Sequence, residues 1–103
     1  MENLENLFDG ITSDVAVGFF YPTEVDQNGW ATLNSYYMYA EKNDEGSLVK
    51  YVSRLGQRMI VDSVKSGWIN LVNYDMMGNK TKYQMNLSNV RGAEIMDIVD
   101  VRR

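Results

Sequence analysis

The sequence contains no cysteine and no histidine. Without cysteine there are no disulfides and no thiol nucleophiles, and without either residue most zinc sites are excluded. The chain also lacks the side chain best suited to proton transfer near neutral pH. No glycine-rich phosphate-binding motif is present either. We therefore predict a protein that is not an enzyme and that holds no cofactor and no metal.

Long hydrophobic runs are missing as well. The longest near-apolar run, VAVGFFY, begins at Val15 and ends at Tyr21, whereas a membrane helix needs about 20 apolar residues. The first ten residues carry acids where a signal peptide needs bases. These features predict a cytoplasmic protein that does not associate with membranes.

Length and composition are those of an ordinary globular domain. The chain has 103 residues, of which 45% are hydrophobic and 23% charged. A chain of this length buries enough surface to fold without disulfides. We predict a single domain over residues 1–103, with residues 1–10 forming a short, frayed helix.

The stretch WINLVNYDMMGNKTKYQMNL, residues 68–87, predicts a β-hairpin. Gly78-Asn79 is typical of a two-residue turn between alternating strands. That turn would place Tyr74 opposite Tyr83 and Asp75 opposite Lys82. One face would then collect Val72, Tyr74, Met76, Tyr83, Met85 and Leu87. We expect this face to be core, and the alternative is a protein-binding surface.

The stretch SLVKYVSRLGQRM, residues 47–59, has a helical period. Its apolar residues fall at i, i+3, i+4, i+7 and i+11: Leu48, Tyr51, Val52, Leu55 and Met59. Gly56 inside this helix would cost about 1 kcal/mol relative to alanine. The following MIVDSV predicts a strand, and one unbroken helix over residues 47–66 is the alternative.

Three further stretches predict strands. DVAVGFFYP ends at Pro22 because proline interrupts a ladder, AEIMDIVDV closes the chain, and WATLNSYYMYAE covers residues 30–41, with a helix as its alternative. The last would place Tyr37 and Tyr39 on one side, and the pattern does not decide which side is buried. The predicted fold class is α+β: a single small domain in which an antiparallel sheet of five to six strands packs on one amphipathic helix.

Charge is distributed unevenly along the chain. Residues 1–41 contain seven acids and no lysine or arginine, whereas residues 42–91 contain eight bases and four acids. One interpretation is that acidic and basic strands neutralise each other within the fold. The other is an acidic face that binds a basic partner surface and orients the encounter.

We predict a non-catalytic protein-binding module, an inhibitor or adaptor that occupies a partner's surface. The partner would be another protein with a basic surface. The predicted contacts come from the acidic, aromatic-containing N-terminal third, since tyrosine and tryptophan are strong interface anchors. They are Glu24, Asp26, Phe20, Tyr37 and Tyr39.

Two alternatives remain open. Lys50, Arg54 and Arg58 fall at i, i+4 and i+8, so on the predicted helix they would form a basic stripe that contacts a partner or binds nucleic acid. Against nucleic acid, the densest aromatic cluster lies in the segment without bases. The second alternative is a structural subunit that associates with itself as a homo-oligomer.

Overall fold

The computed structural model describes residues 3–101, which form a mostly β protein. Seven strands and two short helices account for most of these residues, and a single 3-10 turn spans Leu87–Asn89. In chain order the elements are α1 (Leu4–Asp9), β1 (Val15–Val25), β2 (Ala31–Lys42), β3 (Leu48–Arg54), β4 (Gln57–Lys65), β5 (Trp68–Tyr74), β6 (Lys80–Asn86), β7 (Ala93–Asp97) and α2 (Ile98–Val101).

All seven strands belong to one antiparallel sheet in the order β6-β5-β4-β3-β2-β1-β7. The first six strands follow one another as a meander, and β7 returns to pair with β1. The predicted antiparallel sheet is confirmed. The predicted count of five to six strands is too low, because the stretch predicted as a helix supplies additional sheet.

The sheet is strongly curved. In a flat sheet, β6 and β1 would lie about 24 Å apart, five strand spacings of about 4.8 Å each. Instead, the backbone N–H of Asn86 at the end of β6 donates to the Tyr21 hydroxyl of β1 at 2.9 Å. The face that carries Tyr21 is therefore concave, and the opposite face is convex.

The core fills the concave face. It is built around Val17, Phe19, Met38, Val52, Ile69 and Leu71. Helix α1 covers one end of this face, where Phe8 is fully buried and meets the edge of the Phe19 ring at a centroid distance of 5.1 Å. The short N-terminal helix is thus confirmed as Leu4–Asp9, and residues 1–2 lie outside the described part.

The prediction of a helix over residues 47–59 is wrong, and so is the alternative of one helix over 47–66. The chain forms the hairpin β3–β4, and Leu55 and Gly56 make its turn with positive φ angles of 52° and 82°. Val52 and Met59 face each other on the concave side, while Tyr51 and Ile60 do so on the convex side. The apolar residues of β3 and β4 lie on both faces of the sheet, and their combined spacing along the chain matches a helical period. The strand predicted for MIVDSV is confirmed within β4.

The hairpin over residues 68–87 is confirmed, but its predicted register is wrong. The turn is Asp75–Asn79, which places Tyr74 opposite Lys80 and Val72 opposite Lys82. Consequently Val72 and Tyr74 lie on the convex face. The hairpin's core residues are Ile69, Leu71 and Met85, with Leu87 just beyond β6.

The other predicted strands are present with different limits. β1 continues through Pro22 to Val25, and its pairing with β2 is irregular between Pro22 and Glu24. Proline is tolerated there because Phe20, two residues earlier, directs its N–H away from β2, and Pro22 faces the same side. β2 buries Met38 on the concave face. The closing strand is shorter than predicted and gives way to α2 after Asp97.

Candidate functional site

The β1–β2 hairpin extends beyond the rest of the sheet. β7 pairs only with residues 15–19 of β1, and β3 pairs only with residues 37–42 of β2. Residues 22–33, which we call the arm, therefore pair only with each other. The result is a two-stranded ribbon whose tip is the turn between Val25 and Ala31.

One face of the arm is apolar. Ala31, Leu33, Ser35, Tyr37 and Tyr39 alternate along β2 and so share the convex face, on which Ser35 is the polar exception. Residues directly opposite one another share a face, which adds Val25, Pro22 and Phe20 from β1. We call Phe20, Val25, Leu33, Tyr37 and Tyr39 the contact strip.

The contact strip is most exposed at its distal end. Val25 is 68% exposed and Leu33 is 48% exposed, and Trp30 beside them at the tip is 75% exposed. Tyr39, nearer the centre of the sheet, is only 8% exposed. Large apolar side chains left contiguous and exposed are typical of interaction surfaces.

The two predicted acidic residues lie on the arm with different roles. Glu24 is exposed opposite Thr32, on the face away from the contact strip. Asp26 begins the tip turn, where its Oδ1 accepts the N–H groups of Asn28 and Trp30, both at 2.9 Å. Asp26 therefore shapes the turn that presents Trp30.

Arg58 lies on the convex face at the other end of the contact strip. Its guanidinium carbon is 4.3 Å from the centroid of the Tyr51 ring, and its Nη1 lies 3.4 Å from Oε2 of Glu41. A hydrogen bond with Tyr39 raises the pKa of Arg58. This contact pairs the basic middle with the acidic N-terminal third, as the neutralising interpretation of the charge pattern expected.

The predicted basic stripe of Lys50, Arg54 and Arg58 does not exist, because it required a helix. Lys50 and Arg54 alternate along β3 and lie on the concave face, opposite to Arg58. The Lys50 Nζ donates to the carbonyls of Phe8 at 3.4 Å and Asp9 at 3.1 Å. Lys50 thus satisfies carbonyls at the end of α1.

An open cavity lies on the concave face at the end that α1 leaves uncovered. Its volume is about 590 Å³. The side chains around it include Tyr36, Arg54, Gln57, Met59, Asn73 and Tyr83. Two of the eight predicted contact residues, Arg54 and Arg58, line this cavity. Arg54 does so from the concave face.

Sequence reasoning missed Val25 and Leu33 on the contact strip and Trp30 beside it. It also missed the cavity, of whose lining it had named only Arg54 and Arg58. Comparisons with protein-family models, with curated proteins and with solved structures found no match. Within residues 3–101, no helix is long and apolar enough to cross a membrane. The same residues bring together no group of three or more metal-ligating side chains.

Proposed function

We propose that this protein is a non-catalytic protein-binding module that occupies a partner's surface with the arm and the contact strip. The observation that carries the proposal is the arm itself. It places Trp30, Val25 and Leu33 at an exposed ribbon end, where they add little to the core.

The shape of the arm suits docking into a groove. A paired ribbon already has its backbone ordered, so binding costs less conformational entropy than ordering a loose loop would. Tryptophan and other large side chains that enter partner pockets supply most of the energy of an interface. Trp30 is the anchor we expect, with Val25 and Leu33 beside it.

The charge of the arm favours a basic partner. Residues 22–33 contain Glu24 and Asp26 and no lysine or arginine. A negative ribbon accelerates encounter with a positive surface and repels phosphate backbones. This charge supports protein binding over nucleic-acid binding, whose predicted basic stripe is absent.

Affinity capture from a lysate of the source cells tests the proposal. The immobilised wild-type protein is compared with the double variant Val25→Ser/Leu33→Ser and with Glu24→Lys. We expect one retained protein, identified by mass spectrometry, that the double variant loses. Retention should fall with Glu24→Lys and with added salt, because exposed charges are screened.

The matched control is Met76→Ser/Met77→Ser. These methionines are 104% and 88% exposed at the tip of the β5–β6 hairpin, so the change removes comparable apolar surface from a different hairpin. The control should retain the same protein as wild type. Equal retention by all variants, or capture of nucleic acid instead of protein, would contradict the proposal.

Sedimentation at several concentrations should give a monomer, and a dimer broken by the arm variant would show self-association instead.

A further inference from the structure

The concave cavity is separate from the proposed contact strip, which lies on the opposite face of the sheet. Val52 and Met59 face each other across β3 and β4 and give the cavity an apolar part. Its volume of about 590 Å³ is in the range of small-molecule sites.

Arg54 supplies the positive charge, and its position is fixed by neighbours from the arm. Its Nη2 donates to Oδ1 of Asn34 at 2.5 Å, and the amide of Asn34 in turn donates to the Thr23 hydroxyl. The guanidinium carbon lies 6.0 Å from the centroid of the Tyr36 ring. Arg54 is therefore held in place by neutral groups.

No carboxylate neutralises Arg54 within residues 3–101. The ion pair that this region contains joins Arg58 to Glu41, so the other arginine beside the cavity already has an anionic partner. A half-buried arginine fork that meets only neutral groups retains N–H donors for an oxyanion. The carboxylate or phosphate of a ligand would complete the site.

Aromatic rings and amides complete the lining. Tyr36 and Tyr83 both border the cavity. The Tyr36 ring is stacked on Phe19 at a centroid distance of 5.6 Å, whereas the half-exposed Tyr83 offers ring surface for stacking, and Gln57 and Asn73 offer amide donors and acceptors. Asn73 and Tyr83 occupy neighbouring strands on the concave face, two residues apart in register. An aromatic body with one anionic group matches this combination.

We propose that the concave cavity binds a small aromatic compound that carries an oxyanion, either a carboxylate or a phosphate. The oxyanion is held by Arg54, and the ligand ring lies against the apolar part and the Tyr83 ring. This inference is independent of the proposed protein partner, because no contact-strip residue lines the cavity.

NMR titration of the isotope-labelled full chain tests the inference with four probes. Phenylacetate and phenyl phosphate carry a ring and an anion, phenylacetamide carries the ring alone, and acetate carries the anion alone. We expect one or both aromatic anions to shift the amides around Arg54, Gln57 and Asn73. They should bind at least about tenfold more tightly than either single-feature probe, because losing one charged or one stacking contact costs about 1.4 kcal/mol or more. Binding by only one of them identifies the oxyanion.

Two variants separate the role of Arg54 in ligand binding from its role in the fold. Arg54→Met should reduce affinity for the aromatic anions to that for phenylacetamide. Asn34→Asp keeps the side-chain size and gives Arg54 an intramolecular carboxylate, so it should weaken anion binding at least about tenfold while the protein stays folded. Arg91→Met removes an exposed arginine elsewhere and should bind as wild type does.

Three results would overturn the inference. The first is no shift by any probe at millimolar concentration. The second is that neither phenylacetate nor phenyl phosphate binds more tightly than phenylacetamide, and the third is shifts confined to the convex face. Failure here leaves the capture experiment with the arm variants unaffected, since the two sites share no side chain.

Discussion

Tyr39 lies directly opposite Tyr51 on the convex face, and their ring centroids are 5.8 Å apart. The Arg58 guanidinium stacks over the Tyr51 ring and lies beside Tyr39, which raises the pKa of Arg58. The two tyrosines and the arginine thus form one polar-tipped cluster at the centre of the sheet. This cluster explains why Tyr39, predicted as an exposed contact, is largely covered.

Replacing Arg58 should reduce the stability of the fold modestly. Arg58→Ala removes a cation–π contact and an exposed ion pair, which together are worth about 1 kcal/mol. Urea unfolding measures the loss. Lys65→Ala at the exposed end of β4 is the control and should change stability by less than about 0.5 kcal/mol. Equal effects of the two changes would show that the cluster contributes nothing.

Removing Phe8 should nearly unfold the protein. Its ring is fully buried against Phe19, and truncation of a buried phenylalanine costs about 3–5 kcal/mol. Phe8→Ala is compared with Phe20→Ala, whose side chain is 47% exposed. The unfolding free energy should fall several times further for Phe8→Ala. Similar losses would mean that α1 does not close the concave face.

Gly56→Ala distinguishes the β3–β4 hairpin from the helix that the sequence pattern suggested. In a helix this change would stabilise the protein by about 1 kcal/mol. In the hairpin Gly56 has a φ of 82°, where a side chain costs about 1–2 kcal/mol. The sign of the measured change in unfolding free energy therefore decides between the two.

Gly10→Ala is the control for that measurement. Gly10 has a φ of −78°, and an added Cβ would come no closer than 3.5 Å to other atoms. Its effect should stay within about 0.5 kcal/mol. A stabilising effect of Gly56→Ala would contradict the hairpin.

Asp75 should titrate below its ordinary value. The backbone N–H and the side-chain amide of Asn79, together with the N–H of Met77, donate to its carboxylate and hold its pKa below 3.8. Because the folded pKa is depressed, the carboxylate stabilises the fold above pH 3.8, and that stabilisation is lost as the pH falls through the lower folded value. NMR titration of the carboxyl carbon measures this pKa. Asn79→Ala should raise it part of the way, and a wild-type pKa of 3.8 or higher would contradict the turn geometry.

Three turns of the sheet share one sequence pattern. Asp26, Asn43 and Asp75 each begin a five-residue turn with glycine in fourth place. In all three the side-chain oxygen accepts the N–H groups of the third and fifth residues. The glycines at that place, Gly29, Gly46 and Gly78, have φ angles of 85°, 80° and 83°.

This spacing would have corrected the hairpin register. A turn centred on Gly78-Asn79 places every residue of β5 opposite the wrong residue of β6. A five-residue turn that begins at Asp75 places Tyr74 opposite Lys80, as observed. Asn43 likewise predicts that β2 and β3 form a hairpin, which excludes a helix after Ser47. The sequences of these turns therefore predict which strands pair and in which register.

The cavity had no such local signal. Tyr36, Arg54 and Tyr83 belong to β2, β3 and β6, and only the curvature of the whole sheet brings them to one cavity. The exposure of Leu33 likewise depends on where β3 stops pairing with β2. The cavity and the exposure of Leu33 depend on strand lengths and sheet curvature. Neither can be predicted from the alternation of residues along a single strand.

Site-specific photo-crosslinking tests the proposed protein-binding role most directly. A photoreactive phenylalanine analogue replaces Leu33 on the contact strip, or Met77 on the β5–β6 hairpin as the control, and the protein is irradiated in the source cells. We predict one adduct with a single partner protein from position 33, weakened by Glu24→Lys, and none from position 77. No adduct from position 33, or the same adducts from both positions, would contradict binding through the arm.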